Sequence, residues 1–548
     1  MSIDIQENIV YCAHFIVEAD TPLAVGSGQK GLTVDRVVAR DANGLPYIPG
    51  SSIAGVLRHH LSGEMDVDHL FGFQSHHGNT STVDVSHDDG VGSRIIVSSA
   101  HILDKSGEQV LEGLAQINWE DPYYRLFEQL PERDHVRITH RGAADVKGHG
   151  KFDEQVVHKG ARFVFMIELQ GTEADQAQWD KILDTIRMPF FRLGAGSRKG
   201  FGKLKICHIH QRIFRLENLS DLKDYLAQEN SLNQDLSQWE KLPVEGAVVD
   251  NSFLHYSIRL NPESFFHFGA GYGDEDVDMQ PKTEKMITWS EGNGAALSQQ
   301  SFYLIPASSV KGALSHRVAY HYNVISRYTL SNAAESSEST VSRIDIEGVL
   351  NEVLSDNEHA LKKLPDDSSA TELENLEKQI AELSEGDLFE TKRWKMEKRI
   401  STSSDHINQQ PGLQVGRNNE AVRILFGYAK GSNVEQEGDT GKRGHVLLED
   451  IYIPASSVQE KVFSHVAIDR FTGGAIDGAL YQEKVIHTKP LAINLFVARE
   501  AFQGDKGDSI KKAFELTLED LVAGRLQLGG NTTKGHGVFS GSFECKNS

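Results

Sequence analysis

Two stretches of the chain combine residue types that could hold a phosphate group. They read YIPGSSIAGVLR at residues 47–58 and YLIPASSVKGALSHR at residues 303–317. In each, a proline that fixes φ precedes two serines able to cap a helix, and small residues fill the first helical turn. Free backbone N–H groups, hydroxyls and a trailing base at a helix start favour anion binding. Taken alone, either stretch is explained more simply as a structural cap.

The neighbours of the two stretches repeat in the same order. An LFG tripeptide follows each stretch, at residues 70–72 and 425–427. The other repeated landmarks are a pair of apolar strand segments (94–103 and 445–453), a segment beginning HVRIT at 135 and HVAID at 465, and a glycine-rich turn reading LGAGSRKGFGKLKI from 193 and LGGNTTKGHGVFSG from 528. Five landmarks in one order indicate a tandem duplication of one module.

The length of 548 residues agrees with this duplication, because it fits two domains of about 200 to 250 residues. We expect a first module at 1–211, a linker at 212–248 and a second module at 249–548. The distance from the motif proline to LFG is 21 residues in the first module and 119 in the second, so about 98 residues are inserted at roughly 324–420. The inserted segment has a helical pattern and is most simply a solvated helical excursion.

The net charge of −22 argues at first sight against a polyanionic partner. Residues 331–388 hold 15 acidic and 4 basic side chains, so this one segment accounts for half of the net charge. The remainder is still acidic. A nucleic-acid channel would therefore have to be a local basic stripe, which total charge does not exclude.

Composition excludes several other classes of protein. The three cysteines, at positions 12, 207 and 545, have no metal-ligand spacing, so neither a zinc site nor structural disulfides are indicated. There is no apolar run of membrane-spanning length and no signal-peptide pattern, and we expect a reducing cytoplasm. The polar segment 76–92 contains histidines and aspartates in no familiar ligand pattern. No Walker motif, GGDD motif or HD pair indicates nucleotide hydrolysis or cyclic-oligonucleotide synthesis.

Together, the duplicated motifs resemble the RAMP superfamily, and most closely the backbone subunits of type III CRISPR effector complexes. The resemblance covers nearly the whole chain apart from the linker and the insertion. The tandem arrangement is similar to the double-backbone subunit of subtype III-D systems. The resemblance implies an α+β fold of two ferredoxin-like, RRM-like modules in tandem. Each module would carry a thumb-like β-hairpin, at 143–154 and at 473–483, and the second would carry the helical insertion.

In that family the subunits stack along a guide RNA, and the thumb wedges into the guide–target duplex at regular intervals. The implied partners are guide RNA, single-stranded target RNA, other RAMP backbone subunits and the large polymerase-like subunit. Cations and hydroxyls of this kind suit a sequence-independent grip on phosphates. The implied RNA-binding residues are Ser51, Ser52, Arg58, His59, Arg198 and Lys199 in the first module, and Ser308, Ser309, Lys311, Arg317 and Lys534 in the second.

The first module departs from the family at one position. The family usually places a lysine two residues after the second serine. Lys311 keeps this pattern, whereas the first module has Ala54 there. The grip of the first module on the guide would therefore depend more on Arg58, His59 or His60.

The resemblance also implies a catalytic aspartate ahead of the YIPGSS strand. Asp35, in LTVDRVV, occupies this place. We expect it to bind a divalent metal, Mg²⁺ or Mn²⁺, or to activate the target's 2′-hydroxyl, which attacks the adjacent phosphate and leaves a 2′,3′-cyclic phosphate and a 5′-hydroxyl. Asp41, in a DANG turn, is expected to be structural.

In the second module the candidate catalytic and metal-binding residue is Asp278, with Asp276 as the near alternative. The spacing to the motif proline grows from 14 residues after Asp35 to 28 after Asp278. The acidic loop that contains both candidates could equally be a solvated surface loop.

Two other functions stay open. The chain could be a scaffold that binds guide RNA without cutting. It could also be a guide-processing ribonuclease that uses histidine, although His59, His60, His140 and His149 lie at guide-binding positions or in the hairpin rather than in a recognised acid–base pair. Whether both modules cleave is not decided by the sequence.

Overall fold

Two antiparallel sheets, each with its own hydrophobic core, divide the chain into an N-terminal and a C-terminal module. The computed structural model describes residues 8–32, 34–74, 90–139, 142–145, 150–244, 252–290, 294–298, 301–335, 415–428 and 441–546. Helices pack against both antiparallel sheets, which confirms the expected α+β class.

The N-terminal module begins with its longest apolar strand. Its strands are β1 (Ile9–Ala19), β2 (Phe73–Gln74), β3 (Gly90–Val91), β4 (Ile95–Val97), β5 (His101–Ile102), β6 (Glu132–Val136), β7 (Lys151–Gln155), β8 (Arg162–Gly171), β9 (Leu204–Arg215) and β10 (Glu240–Leu242). Its helices are α1 (Gly50–Leu61), α2 (Val67–Phe71), α3 (Pro122–Glu128), α4 (Gln176–Arg187) and α5 (Leu219–Leu226). The predicted linker, 212–248, begins inside β9 and contains α5 and β10.

The C-terminal module repeats this plan with two additions, a small hairpin near its start and a much longer first helix. Its strands are β11 (Phe253–Pro262), β12 (Thr283–Glu284), β13 (Ile287–Ser290), β14 (Gly294–Leu297), β15 (Phe302–Ile305), β16 (Gly427–Tyr428), β17 (Lys442–Arg443), β18 (Val446–Leu448), β19 (Ile451–Pro454), β20 (Val458–Ile468), β21 (Ala475–Thr488), β22 (Leu491–Ala498) and β23 (Phe539–Lys546). Its helices are α6 (Ala307–Glu335), α7 (Glu420–Phe426) and α8 (Gly507–Val522).

The order of strands shows the duplication directly. The first sheet runs β4–β8–β1–β9 and the second runs β18–β22–β11–β23, with all pairs antiparallel. The first sheet is extended by β10 beyond β9, and β5 also pairs with β8. The central strand of the second sheet, β11, buries alternate residues, as the period of two requires. The central strand of the first sheet, β1, is buried along almost its whole length, because Tyr225 and Trp239 of the predicted linker pack on its second face. The tandem arrangement expected from the repeated motifs is therefore present in the topology.

Apolar spacing explains which helix faces meet the sheets. In α4, Trp179, Ile182, Leu183 and Ile186 are buried, at the i, i+3, i+4, i+7 spacing of one helix face. The same spacing recurs in α8. Each module therefore places its second long helix over the sheet.

The start of α1 differs from the sequence prediction. Pro49 is the N-cap residue and no side chain caps the helix, while Ser51 and Ser52 lie within the first turn. Capping by these serines was the wrong prediction, because both lie after the N-cap position, which Pro49 occupies, and Ser52 N bonds to Pro49 O at 2.9 Å. The hydroxyls are left for other partners.

The predicted insertion falls largely outside the described residues. Helix α6 extends to Glu335, and residues 336–414, which make up most of the insertion expected to be helical, are not described. His140 and His149 also lie outside the described residues, as do the thumb positions 146–148. In the part of the chain that is described, no helix is both long and apolar enough to cross a membrane.

The hairpin of β13 and β14 joins the two modules. Ile287 belongs to the core of the N-terminal module, and Trp289 Nε1 donates to Gly160 O at 2.7 Å. Gly160 has φ +89°, and a Cβ there would lie 1.9 Å from Ile287 O. The additional residues between Asp278 and the motif proline thus include a docking hairpin, which explains the longer spacing in the second module.

A buried ion network also crosses the boundary between the modules. Arg133, at the base of the first hairpin, contacts Glu284 at 2.5 Å and Asp450 at 2.9 Å, and all three side chains are at most 5% exposed. The Tyr452 hydroxyl lies 3.3 Å from the same guanidinium. Asp450 Oδ1 also accepts from Ala307 N, at the start of α6. The network therefore ties the first hairpin to the helix start of the second module.

Candidate RNA-binding and catalytic sites

Each module projects a β-hairpin at the position predicted for a thumb. Strands β6 and β7 form the first hairpin, and β20 and β21 form the second. The second hairpin is the longer one and carries apolar side chains into solvent, with Phe471 at its tip 99% exposed. Such an apolar tip on a polar surface is typical of a contact surface for a partner.

Asp35 lies beside the returning strand of the first hairpin. Its backbone N–H donates to Asp153 Oδ1 at 2.7 Å, and Asp153 N donates to Asp35 Oδ2 at 3.3 Å. The next residue, Arg36, forms a parallel bridge with Glu154. The carboxylate of Asp35 is exposed, held at one oxygen by a backbone donor, and free to meet a substrate with the other.

Asp278 has the same relation to the second hairpin. Gln482 N donates to Asp278 Oδ2 at 2.7 Å, and the following residue, Met279, forms a parallel bridge with Glu483. The structure thus places Asp278 as the counterpart of Asp35, with Gln482 in place of Asp153. Asp276 does not occupy this register position, so the geometry favours Asp278 of the two candidates.

A buried glutamate lies next to each aspartate. Glu154 and Glu483 are 1% and 0% exposed. Each contacts a histidine of the outgoing hairpin strand: His135 Nε2 lies 2.7 Å from Glu154 Oε1, and His465 Nε2 lies 2.8 Å from Glu483 Oε1. The same pair therefore appears twice, in two modules that differ at most other positions.

Charges around Glu154 keep it ionised. Burial disfavours its charged form, yet contact with His135 and the charges of Lys199 and Arg36 lower the pKa of Glu154 below its ordinary value. Burial lowers the pKa of Lys199, with Glu154 opposing this shift and Arg36 adding to it. Arg36, His135 and Lys199 thus all contact Glu154, on the strand that holds Asp35.

An aromatic ring links the histidine and a lysine in each module. Phe152 stacks on His135 with ring centroids 4.7 Å apart, and Lys199 Nζ lies 4.4 Å from the centroid of the same ring. The second module repeats the arrangement, with Tyr481 4.8 Å from His465 and 4.9 Å from Lys534 Nζ. Both lysines were predicted to bind guide RNA, and the structure places both against the hairpin strands whose backbone N–H groups hold the candidate catalytic aspartates.

A second concentration of positive charge lies where the modules meet. Lys311, at the start of α6, and Arg198, in the first glycine-rich turn, come together there with two residues the sequence reasoning missed, Arg192 and Arg443. We call these four residues the seam cluster. The close approach depends on Gly200, φ +106°, because a Cβ there would lie 2.7 Å from Ala307 Cβ.

Positive charge in the seam cluster exceeds its compensation. Burial and the charges of Lys199 and Arg198 lower the pKa of Lys311 to about 8, and burial with Arg443 and Arg192 lowers the pKa of Arg198. Arg192 contacts Glu449 at 3.1 Å, but its Nε and Nη1 atoms are buried without a hydrogen-bond partner among the described residues. Arg198 Nε is likewise buried without a hydrogen-bond partner among the described residues, and cations that repel one another in this way favour the binding of an anion.

The other predicted RNA-binding residues are less concentrated. Ser51, Ser308 and Ser309 lie in the first turns of α1 and α6, at least partly exposed, and His59 is exposed near the end of α1. Arg58 contacts Asp68 and donates to Gly72 O, while Arg317 contacts Asp520 at 2.5 Å. The two arginines are therefore engaged by the protein itself, and the seam cluster offers the stronger site for phosphate.

Sequence reasoning missed the glutamate–histidine pairs although a signal for them existed. The two hairpin segments align HVRIT with HVAID and FDEQVVH with YQEKVIH, which retains the histidine and the glutamate. Arg192 and Arg443 had no such signal, because neither belongs to a repeated motif and only the packing of the modules brings them together.

Comparison with known proteins agrees with the duplicated topology. A family model described as the RAMP superfamily matches residues 16–205 and 292–540, one match in each module. The gap between the matches contains the linker and β11. No curated protein matches the chain.

Proposed function

The chain belongs to the RAMP superfamily, which points to a CRISPR-associated RNA-binding subunit, and on this premise we propose a more specific role. The protein is a backbone subunit of a type III CRISPR effector complex. It binds guide RNA at the seam cluster and cleaves the paired target RNA at Asp35 and Asp278. Its partners in this role are guide RNA, target RNA, further RAMP subunits and a polymerase-like large subunit.

The seam cluster supports the RNA-binding part of the proposal. Four cations from two modules converge there, on a chain whose net charge is −22. Phosphates would contact the exposed Arg443 and the partly exposed Arg198, and would raise the lowered pKa of Lys311. The buried Arg192 adds positive charge behind them. Contacts to phosphate carry no base preference, so a grip of this kind accepts any guide sequence.

The repeated placement of Asp35 and Asp278 is the observation that carries the cleavage part. Each carboxylate is exposed beside a hairpin and is fixed by a backbone N–H of the returning strand, at 3.3 Å and 2.7 Å. A carboxylate in this position serves as general base toward a 2′-hydroxyl. The 2′-oxygen then attacks the neighbouring phosphate, leaving a 2′,3′-cyclic phosphate and a 5′-hydroxyl.

The residues present fit a divalent metal unequally in the two modules. In the first, the carboxylates of Asp35 and Asp153 lie side by side, and Mg²⁺ is commonly held by one or two carboxylates together with substrate phosphates. In the second, Gln482 offers only an amide oxygen beside Asp278. A bound Mg²⁺ or Mn²⁺ would supply Lewis-acid stabilisation of the phosphate. Asp35 and Asp278 themselves orient toward the ribose hydroxyl and accept its proton.

Cleavage of end-labelled target RNA by the complete guide-loaded complex tests the proposal. Asp35→Ala and Asp278→Ala are compared separately with wild type, in Mg²⁺ and in EDTA. We expect each substitution to remove its own product band while target binding persists. Asp276→Ala is the matched control in the second module and should leave the ladder intact. An unchanged ladder in both aspartate variants would identify a scaffold and overturn the catalytic assignment.

A further inference from the structure

The lysine of the glycine-rich turn recurs in both modules, whereas its charged neighbours do not. Lys199 aligns with Lys534, but Arg198 aligns with Thr533 and Lys203 with Val538. A charge that is kept in both turns is expected to act at a site that both modules possess. Arg198 faces the boundary between the modules, which occurs once in the chain. The two kinds of cation therefore have different tasks.

The N-terminal module holds its lysine against the hairpin strand that also holds the candidate catalytic aspartate. Lys199 Nζ lies 4.4 Å from the centre of the Phe152 ring and 4.0 Å from the buried Glu154. Phe152 directly precedes Asp153, whose backbone N–H holds the Asp35 carboxylate. The ammonium and the carboxylate thus approach the same two residues of one strand. The lysine side chain is 33% exposed, so a phosphate can reach it.

The C-terminal module reaches the same placement with different partners. Lys534 Nζ lies 4.9 Å from the centre of the Tyr481 ring and donates to its hydroxyl. Tyr481 directly precedes Gln482, whose backbone N–H holds the Asp278 carboxylate at 2.7 Å. A ring face attracts an ammonium without neutralising its charge. The supporting groups differ between the modules. In both, however, the ammonium lies over the aromatic ring that directly precedes the residue holding the aspartate.

We propose that Lys199 and Lys534 are catalytic residues whose ammonium groups stabilise the negative charge that builds on the scissile phosphate. The bond from O2′ to phosphorus forms and the bond from phosphorus to O5′ breaks. The aspartate takes the 2′-proton and releases it to solvent, while O5′ takes a proton from water. The lysine transfers no proton. Its fixed charge lowers the energy of the transition state, as preorganised donors do in other phosphate and acyl transfers.

This inference rests on the proposed cleavage by Asp35 and Asp278, and it changes the role of the two lysines. The family resemblance implied that they bind guide RNA. The geometry assigns guide binding to the seam cluster instead and gives each lysine to a target-cleaving site. The two roles differ in a measurable way, because a guide-binding lysine changes affinity and a catalytic lysine changes the rate of one cut.

The test is single-turnover cleavage by the complete guide-loaded complex carrying Lys199→Ala or Lys534→Ala. We expect each variant to slow its own cut by about 10²-fold and to leave the other cut unchanged. Target affinity is measured with a 2′-deoxy substitution at the scissile nucleotides, so that the target is bound but not cut. It should stay within about twofold of wild type, whereas each 1.4 kcal/mol of lost binding energy would lower it about tenfold. Lys199→Arg and Lys534→Arg should recover part of the rate, because they keep the charge.

Lys461→Ala is the matched control. Lys461 also lies over an aromatic ring, 4.7 Å from the centre of Phe463 on the second hairpin, but its counterpart in the first module is Pro131. The complex carrying Lys461→Ala should cleave at the wild-type rate. Unchanged cleavage by the lysine variants, in a complex where Asp35→Ala and Asp278→Ala each remove a band, would overturn this inference alone. A parallel loss of affinity and rate would also overturn it. If the aspartate variants cleave normally, the proposed function itself is wrong.

Discussion

Replacing Arg133 with methionine is expected to weaken the boundary between the modules far more than its single side chain suggests. The substitution keeps most of the volume but leaves Glu284 and Asp450 facing each other without a cation. Both carboxylates are at most 5% exposed, and breaking a buried ion network by removing one partner costs about 3–5 kcal/mol. Arg215, whose pair with Glu173 is at least 54% exposed, provides the control, and Arg215→Met should cost about 1 kcal/mol or less.

The loss in Arg133→Met should depend on pH in a defined direction. Burial raises the pKa of Asp450 even in the presence of Arg133, and removing the cation raises it further. A carboxyl whose pKa is higher in the folded than in the unfolded state binds protons on folding, so stability falls as pH rises through the interval between the two values. The deficit relative to wild type should therefore be smaller at pH 5 than at pH 8.

Urea unfolding followed by tryptophan fluorescence measures this effect, because Trp289 lies at the boundary. A triple variant that adds Glu284→Gln and Asp450→Asn should recover most of the loss, since it removes the unpaired charges and keeps the acceptor for Ala307 N. Equal unfolding midpoints for Arg133→Met and Arg215→Met would refute the reasoning. So would a triple variant less stable than Arg133→Met.

Three further outcomes follow from the described contacts. RNA affinity, measured by fluorescence anisotropy in competition with unlabelled RNA, should fall as pH rises from 7 to 9.5, because Lys311 with a pKa of about 8 loses its charge. Lys311→Arg should remove the part of the pH dependence that is due to this residue. Gly200→Ala should lower the melting temperature, since φ is +106° and the new Cβ would meet Ala307 and Asp450, whereas Gly55→Ala in the open middle of α1 should gain about 0.5–1 kcal/mol; equal shifts would contradict the packing of the turn. Burial raises the pKa of Asp520, but Arg525, His321 and Arg317 outweigh it and lower this pKa to about 2, so the ionised carboxylate stabilises the fold above pH 4. Wild type should lose this stabilisation between pH 4 and 2, and an acid titration of Asp520→Asn should not show the loss.

The local sequence pattern was enough to predict those helices and strands that a single segment of the chain specifies. The helix after YIPGSS, the central strand β1 and the helix α4 are set by apolar spacing and by proline, which act over a few neighbours. The repeat of five landmarks also specified the tandem arrangement. The prediction of serine caps failed because the helix begins at Gly50, with Pro49 at the N-cap, and residue types alone do not fix the first residue of a helix.

The sequence by itself determined the duplication, the family and the candidate aspartates, because each depends on motifs that recur in one order along the chain. Only the tertiary structure decided which residues share a site. The choice of Asp278 over Asp276 came from a strand register. Lys199 reaches the strand that holds Asp35 because a turn packs against a hairpin more than 40 residues away. The seam cluster required two modules to dock, since Arg192 and Arg443 are distant in sequence and belong to no motif. Contacts of that range depend on how whole elements pack, and residue types along the chain do not specify them.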